Sequence, residues 1–294
     1  MADSNILVPT DTDDEIALAD WLEATMLIEG RSYIPRAKIR KYIKSIFAED
    51  QPDVCVEILL REIGRRRRHC GSAYPFNEEG SGVKYTQSAV GTPYVFMLCI
   101  SVSKPYRDEH RQSDTDELFD SLVLDALRKY LGLGTVGVRF GAPASGRRPR
   151  NFQEAIYWLA ETMNLPKGTG TPRRTGGDGG LDVIVWRPFR DRRSGFLVVL
   201  AQCTVQRDWV IKAKDLTEDI WRGWIDMGKN PHLALAIPFV VPFKYEKWDE
   251  LRRLVHTLLD RLRLTELLED AKPANQNDMQ TWISSEVIRM GGTR

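Results

Sequence analysis

The sequence predicts an α/β protein, in which a domain of alternating strands and helices follows a mostly helical α+β domain. Three observations predict this class. The first part of the chain contains several stretches with apolar residues at helical spacing. Residues 141–150, rich in glycine, proline and arginine, have the composition of a linker. After them, apolar strand-like segments alternate with helical ones. We therefore expect a mixed domain at 1–140, an α/β domain at 150–272 and a polar tail at 273–294.

The composition is that of an ordinary globular protein and allows two domains. Of its 294 residues, 42% are hydrophobic and 28% are charged, and the net charge of +1 gives no overall field that would attract nucleic acid. No apolar run reaches the roughly 18–20 residues that a membrane span needs. The acidic start, MADSNILVPTDTDDE, does not resemble a signal peptide. Four widely spaced cysteines indicate packed free thiols. We expect a cytoplasmic protein without membrane contact.

In the first domain, apolar periodicity predicts three helices, at 12–29, 36–48 and 53–69. The apolar segment PYVFMLCISVS, residues 93–103, predicts a buried strand. A helix with an acidic start, a basic end and a glycine stop is expected at 113–132. The run RRRR at the end of the third helix has two interpretations, a solvated basic helix end or a phosphate contact.

In the second domain, Asn151 caps a predicted helix, NFQEAIYWLAETMNL. The segments LDVIVW and FLVVLAQC predict strands joined by the polar stretch RPFRDRRSG. A helix around 216–227 and a strand, HLALAIPFVV, follow. We expect a long helix from Trp248 to about Ala271, after which roughly 20 polar residues close the chain.

Three oxygen-bearing side chains of the second domain are candidates for a metal site. Asp182 opens the first strand, Gln202 lies near the end of the second, and Glu154 is in the first turn of the preceding helix. Oxygen ligands of this kind suit Mg²⁺ or Mn²⁺. Each residue also has a structural interpretation: Asp182 as a strand cap, Gln202 as a hydrogen-bonded core amide, and Glu154 as a partner of the helix dipole.

The segments NFQEAIYWLAETMNL, GGDGGLDVIVW and LVVLAQCT, in this order, resemble the PD-(D/E)XK nuclease superfamily and its Mrr-like restriction endonucleases. The resemblance covers about residues 150–245. It implies a restriction-endonuclease-like αβββαβ core, a central mixed sheet flanked by helices, and Mg²⁺-dependent hydrolysis of DNA. It also implies that Asp182 is a metal ligand and that Gln202 occupies the place usually held by glutamate.

The sequence departs from this pattern at Thr204, which stands where the family has a lysine. The hydroxyl of Thr204 is neutral and cannot replace an ammonium group. Lys212, eight residues downstream and near Lys214 and Arg207, is the candidate replacement. Slow cleavage, or an inactive site on a scaffold domain, are the other interpretations.

Arginines on the loops around the proposed strands predict contacts with the phosphate backbone of DNA. These are Arg173, Arg174, Arg192, Arg193 and Arg207. The sequence thus predicts a metal-dependent endodeoxyribonuclease, with a role in a bacterial restriction or anti-phage system. The alternatives are an inactive nuclease-fold protein that binds nucleic acid or scaffolds a complex with a partner ATPase or sensor, and a protein-interaction module. A homo-oligomer remains open.

Overall fold

The structure is a computed structural model, and its chain divides into two compact units. The helical unit comprises Met1–Arg111, Pro238–Pro242 and Arg261–Arg294, and the sheet unit comprises Gln112–Ile237 and Phe243–Asp260. The structure describes residues 5–11, 13–47, 52–108, 112–141, 146–172, 179–246 and 248–292.

The chain begins in the helical unit, where helices surround a small antiparallel sheet of order β1-β3-β2. Its first elements are α1 (Glu15–Ile28), β1 (Tyr33–Pro35), α2 (Arg36–Phe47), α3 (Pro52–Cys70), β2 (Phe76–Glu79), β3 (Gly82–Tyr85), α4 (Thr92–Val102) and α5 (Lys104–Asp108).

The sheet unit follows with α6 (Gln112–Leu131), β4 (Val136–Arg139), α7 (Phe152–Met163), β5 (Val183–Trp186), β6 (Val198–Cys203), α8 (Trp209–Lys212), α9 (Glu218–Trp224), β7 (His232–Ala236), α10 (Trp248–Leu254) and β8 (Thr257–Leu259). The last two helices, α11 (Arg261–Leu267) and α12 (Gln276–Arg289), belong to the helical unit.

The sheet unit contains a mixed five-stranded sheet of order β4-β5-β6-β7-β8. Strands β4, β5 and β6 pair antiparallel, whereas β6, β7 and β8 pair parallel. Because side chains alternate along a strand, β5 presents Ile184 to the face covered by α7, and Val185 to the face covered by α6. This arrangement confirms the predicted central mixed sheet with flanking helices.

Local capping explains where α7 begins and ends. The side chain of Asn151 accepts a hydrogen bond from the N–H of Glu154, as the sequence predicted for this cap. The helix ends at Asn164, which adopts the left-handed conformation with φ of 55°. Its buried residues Ala155, Ile156 and Leu159 pack in the same core as Leu200 of β6. The helix is thereby fixed against the sheet.

Three elements differ from the sequence prediction. Residues 93–103 form helix α4 rather than a strand, because α4 is buried on all sides and a short apolar run does not distinguish a buried helix from a buried strand. The predicted long helix from Trp248 is interrupted by β8, whose residues pair with β7. The predicted polar tail contains α12, and Trp282 packs edge-on against Phe96 with their ring centroids 5.0 Å apart.

The observed division of the chain also differs from the predicted limits of 1–140 and 150–272. Helix α6 and strand β4 belong to the sheet unit, because β4 is hydrogen-bonded to β5 and α6 covers that sheet. Residues from Arg261 onward belong to the helical unit.

The four-arginine run at the end of α3 includes a buried residue. Arg66 is fully buried and contacts Asp20, Glu23 and Glu62. Neither interpretation of the run, a solvated helix end or a phosphate contact, included such a buried ion pair.

Among the described residues, no helix has both the length and the apolar character needed to cross a bilayer.

Candidate functional site

The start of β5 and the end of β6 meet at one edge of the mixed sheet, and Asp182 is held there by backbone hydrogen bonds. Its N–H donates to the carbonyl oxygen of Ala201 at 3.1 Å. Its own carbonyl oxygen accepts from the N–H groups of Phe140 and Gly141, at 2.6 and 3.0 Å. The carboxylate oxygen Oδ2 accepts from the N–H of Cys203 at 2.7 Å. The Asp182 carboxylate is therefore fixed between β4 and β6.

Two glycines permit this arrangement. Gly180 has a φ of +76°, and a Cβ placed on it would lie 2.9 Å from the carbonyl oxygen of Asp215. A Cβ on Gly141 would lie 3.0 Å from Oδ1 of Asp182 and 3.1 Å from Oδ2 of Asp120. Both contacts are tighter than a side chain normally makes. The absence of a side chain at Gly141 thus lets two carboxylates approach the same point.

Helix α6 supplies further acidic groups. Ligand atoms of Asp120, Asp182 and Cys203 all lie within 4.8 Å of one another. Asp120 is buried and also hydrogen-bonds to the Cys203 thiol. One turn before it on α6, Asp116 lines the same cavity as Asp182. The site therefore combines residues from α6, β5 and β6.

A cavity of about 460 Å³ opens at this edge of the sheet. Its lining includes Asp116, Asp182, Gln202, Cys203, Thr204 and Lys212. The side chain of Gln202 is only 7% exposed. Within the described part of the chain its Oε1 has no hydrogen-bond partner. Because a buried amide oxygen without a partner costs about 1–3 kcal/mol, this atom is suited to a ligand that enters the cavity.

Burial controls the ionisation of two groups at the site. It raises the pKa of Asp116 to about 6. Burial, reinforced by the charges of Asp120 and Asp182, also raises the pKa of the Cys203 thiol well above its usual range. In the absence of a cation, Cys203 is therefore a neutral thiol beside two carboxyl groups.

Thr204 and Lys212 have distinct places at the cavity. Thr204 is 7% exposed, and its hydroxyl accepts a hydrogen bond from the N–H of Gln206 at 3.2 Å. It therefore shapes the turn after β6. Lys212, at the end of α8, lines the cavity, and its ammonium group pairs with Asp215 at 3.1 Å. A cationic side chain is thus present at the cavity without occupying the position of Thr204.

The structure does not bring all the predicted site residues together. Glu154 is exposed on the first turn of α7 and is not among the residues that line the cavity. Arg192 and Arg193 lie in the connection between β5 and β6, at the end of this hairpin opposite to Asp182. They therefore do not lie beside Asp182, and their contact with the phosphate backbone stays a prediction. Arg207 is exposed four residues after β6, at the same end as Asp182.

Arg173 and Arg174, predicted to contact DNA, lie outside the described residues.

Comparisons with known proteins provide little independent information. No protein-family model matches the sequence, and no curated protein matches it. The chain is similar to a solved structure of MspJI restriction endonuclease in complex with a 27-mer oligonucleotide, with a TM-score of 0.30 and 14% identity, covering 76% of this chain. The match spans 40% of that structure's chain. A TM-score of 0.30 is too low to support a functional conclusion, which must come from the site itself.

Sequence reasoning did not select Asp116, Asp120 or Cys203. The two aspartates are four residues apart in SDTDELFDSL, a spacing that places both on one face of a helix. This signal was present, but α6 had been assigned to the first domain. The wide spacing of the four cysteines predicts packed thiols, and the acidic neighbours of Cys203 are distant from it in sequence.

Proposed function

We propose that this chain is a metal-dependent endodeoxyribonuclease whose sheet unit has a PD-(D/E)XK-type core. The observation that carries this proposal is that Asp182 and Gln202 line one cavity, and that the buried Oε1 of Gln202 has no hydrogen-bond partner among the described residues. These are the two positions that the family resemblance assigns to metal ligands. Oxygen donors of this type fit a divalent cation such as Mg²⁺ or Mn²⁺.

A divalent cation held by Asp182 and Gln202 would supply Lewis acidity toward a phosphoryl oxygen and would activate water for attack. The residues of the chain provide the positioning. Asp182 is oriented by the N–H of Cys203, and Gln202 contributes a neutral oxygen. Lys212 brings a positive charge to the cavity, where it stabilises a negatively charged phosphate. Asp215 holds this ammonium group until the substrate arrives.

DNA is the proposed substrate, in accordance with the family resemblance. At the cavity end of the sheet, Lys212 and Arg207 are the cationic residues that we assign to the phosphate backbone. Arg173 and Arg174 remain predicted contacts. Glu154 remains a weaker, outer candidate. A role as the effector of a bacterial restriction or anti-phage system, in the cytoplasm and with a partner ATPase or sensor, is the biological context that we propose.

The decisive experiment is a cleavage assay with plasmid and linear DNA, in Mg²⁺, Mn²⁺ or EDTA. We expect metal-dependent cleavage by the parent chain, and a loss of at least about 100-fold in Asp182→Asn and Asp182→Ala. Asp191→Asn, in the β5–β6 connection away from the cavity, is the matched control and should cleave normally. Cleavage that survives both Asp182 substitutions would reject the site.

A second assay tests Lys212. Lys212→Ala should reduce cleavage by about 10²–10³-fold, because a preorganised positive charge is lost. Lys214→Ala is the control, since Lys214 is exposed and is not among the residues that line the cavity. Equal effects of the two substitutions would indicate general electrostatic binding instead of a specific role for Lys212.

The alternative function is an inactive nuclease-fold protein that binds nucleic acid. The observation in its favour is Thr204, whose hydroxyl is engaged in a local turn where the family has its lysine. This alternative predicts metal-dependent or salt-dependent binding of DNA, measured by fluorescence anisotropy, without cleavage under any of the metal conditions. If a partner protein restored cleavage, this result would support the nuclease function and reject the alternative.

A further inference from the structure

The cavity contains a sulfur donor that a site for Mg²⁺ alone would not need. The Sγ of Cys203 and the carboxylate oxygens of Asp120 and Asp182 lie within 4.8 Å of one another. In a tetrahedral site with metal–ligand distances of about 2.0–2.3 Å, the ligand atoms are about 3.3–3.8 Å apart. Small side-chain movements would therefore bring the three atoms around one ion.

We propose that Asp120, Asp182 and Cys203 bind one thiophilic divalent cation of the Zn²⁺ class, in the cavity that Gln202 also lines. Thiolate ligands favour such ions over Mg²⁺, which prefers oxygen donors only. This cation class deepens the proposed nuclease function, on which its biological role rests. Its binding is nevertheless measurable without DNA cleavage.

An independent observation supports a ligand at this point. Gln202 is more than nine-tenths buried and lines the cavity with Asp182 and Cys203, and its Oε1 has no partner among the described residues. An acidic cluster alone explains neither this orphaned oxygen nor the close approach permitted by Gly141. A cation gives the amide oxygen a partner and neutralises the two carboxylates.

Binding requires a defined proton balance. The Cys203 thiol now hydrogen-bonds to Asp120, and it must lose its proton to solvent as the metal–sulfur bond forms. The oxidation states of the sulfur and the metal do not change. Because a thiolate is a soft donor, the site favours ions that bind sulfur strongly.

The test is a titration of the full-length, metal-stripped chain with Co²⁺ and Cd²⁺, followed by thiolate-to-metal charge-transfer absorption. We expect a band that Mg²⁺ in large excess does not remove and that Zn²⁺ does. The band should be absent in Cys203→Ser and Cys203→Ala but retained in Cys55→Ser, which alters a buried thiol of α3. Circular dichroism establishes that each variant is folded.

Asp120→Asn should weaken Co²⁺ binding by at least about tenfold. Asp114→Asn, the same change at an exposed position of α6, should have no effect. The absence of a charge-transfer band in the parent chain, or its persistence in both folded Cys203 variants, would overturn the inference.

The two proposals fail separately. Cleavage in Mg²⁺ by a chain that forms no thiolate band would reject the thiophilic site and leave the nuclease function intact. A Cys203-dependent band in a chain that cleaves no DNA would support the metal site and reject the nuclease.

Discussion

The backbone N–H of Cys203 donates a 2.7 Å hydrogen bond to Oδ2 of Asp182. This bond connects the last residue of β6 to the carboxylate that precedes β5, so the carboxylate is oriented by the sheet before any cation binds. One of its oxygens is engaged by the backbone, while Oδ1 lies beside Gly141 and close to Asp120. The carboxylate is therefore preorganised for the cation that we propose.

The first prediction concerns the amide oxygen of Gln202, which has no hydrogen-bond partner in the described part of the chain. Gln202→Leu should raise the free energy of unfolding of the metal-free chain by about 1 kcal/mol, because an unsatisfied buried oxygen is removed with little change of volume. The same variant should lose metal-dependent cleavage. Urea unfolding in EDTA and the plasmid assay measure the two effects. Gln87→Leu, at an exposed position of the helical unit, is the control, and a destabilised Gln202→Leu would contradict the assignment.

The second prediction concerns the space left by Gly141. Gly141→Ala places a methyl group about 3 Å from the carboxylates of Asp120 and Asp182, and should destabilise the chain by about 1–3 kcal/mol. It should also weaken metal binding, because the two carboxylates are displaced. Gly223→Ala, where a Cβ meets no atom within 4 Å, should be neutral or stabilising. Thermal unfolding compares the two variants.

The third prediction is a pH dependence caused by Asp116. Burial raises its pKa to about 6 in the folded chain, from an ordinary value of 3.8. Between these values the folded state binds more protons than the unfolded state, so stability falls as the pH rises from about 4 to 6. Asp116→Asn removes this ionisation. In EDTA, this substitution should raise the free energy of unfolding by about 1–2 kcal/mol above pH 7, a range that allows for solvent screening. Near pH 4 it should leave the free energy of unfolding unchanged.

Asp114→Asn, on the exposed part of the same helix, serves as the reference for this comparison. Unfolding curves of the parent and both variants at pH 4, 6 and 8 are sufficient. A stabilisation by Asp116→Asn that is equal at all three pH values would exclude ionisation as its cause.

The fourth prediction concerns the buried charge cluster of the helical unit. Arg66 is 0% exposed and contacts Asp20, Glu23 and Glu62 at 2.6, 3.0 and 2.8 Å. Arg66→Met leaves these carboxylates without their shared cation, and should lower the free energy of unfolding by about 3–5 kcal/mol. Arg68→Met, two residues later at an exposed position, should change it little. Equal stabilities in urea would show that the cluster is not needed for folding.

Much of the local structure follows from the sequence. Apolar periodicity and end signals located α1, α3, α6 and α7 to within a few residues, because these features act within a few turns of one helix. Strands β5 and β6 were also predicted, because their apolar segments are a local feature of the sequence. These predictions placed Asp182 at the start of β5 and Gln202 near the end of β6.

The errors arose where burial decided the conformation. The apolar run of α4 is equally compatible with a buried strand, and only its packing in the helical unit selects the helix. The segment 248–271 has continuous helical character, but pairing of Thr257–Leu259 with β7 gives those residues more hydrogen-bonding and packing partners as a strand. Local propensity is a weak preference that such contacts override.

The sequence by itself determined the central mixed sheet with its flanking helices, and the candidate pair Asp182 and Gln202. Only the tertiary structure decided that Asp120 and Cys203 lie beside Asp182 and that Arg192 and Arg193 do not. The reason is physical. A metal-ligating group is defined by distances between atoms, and residues 62 positions apart, such as Asp120 and Asp182, become neighbours only through the packing of α6 on the sheet.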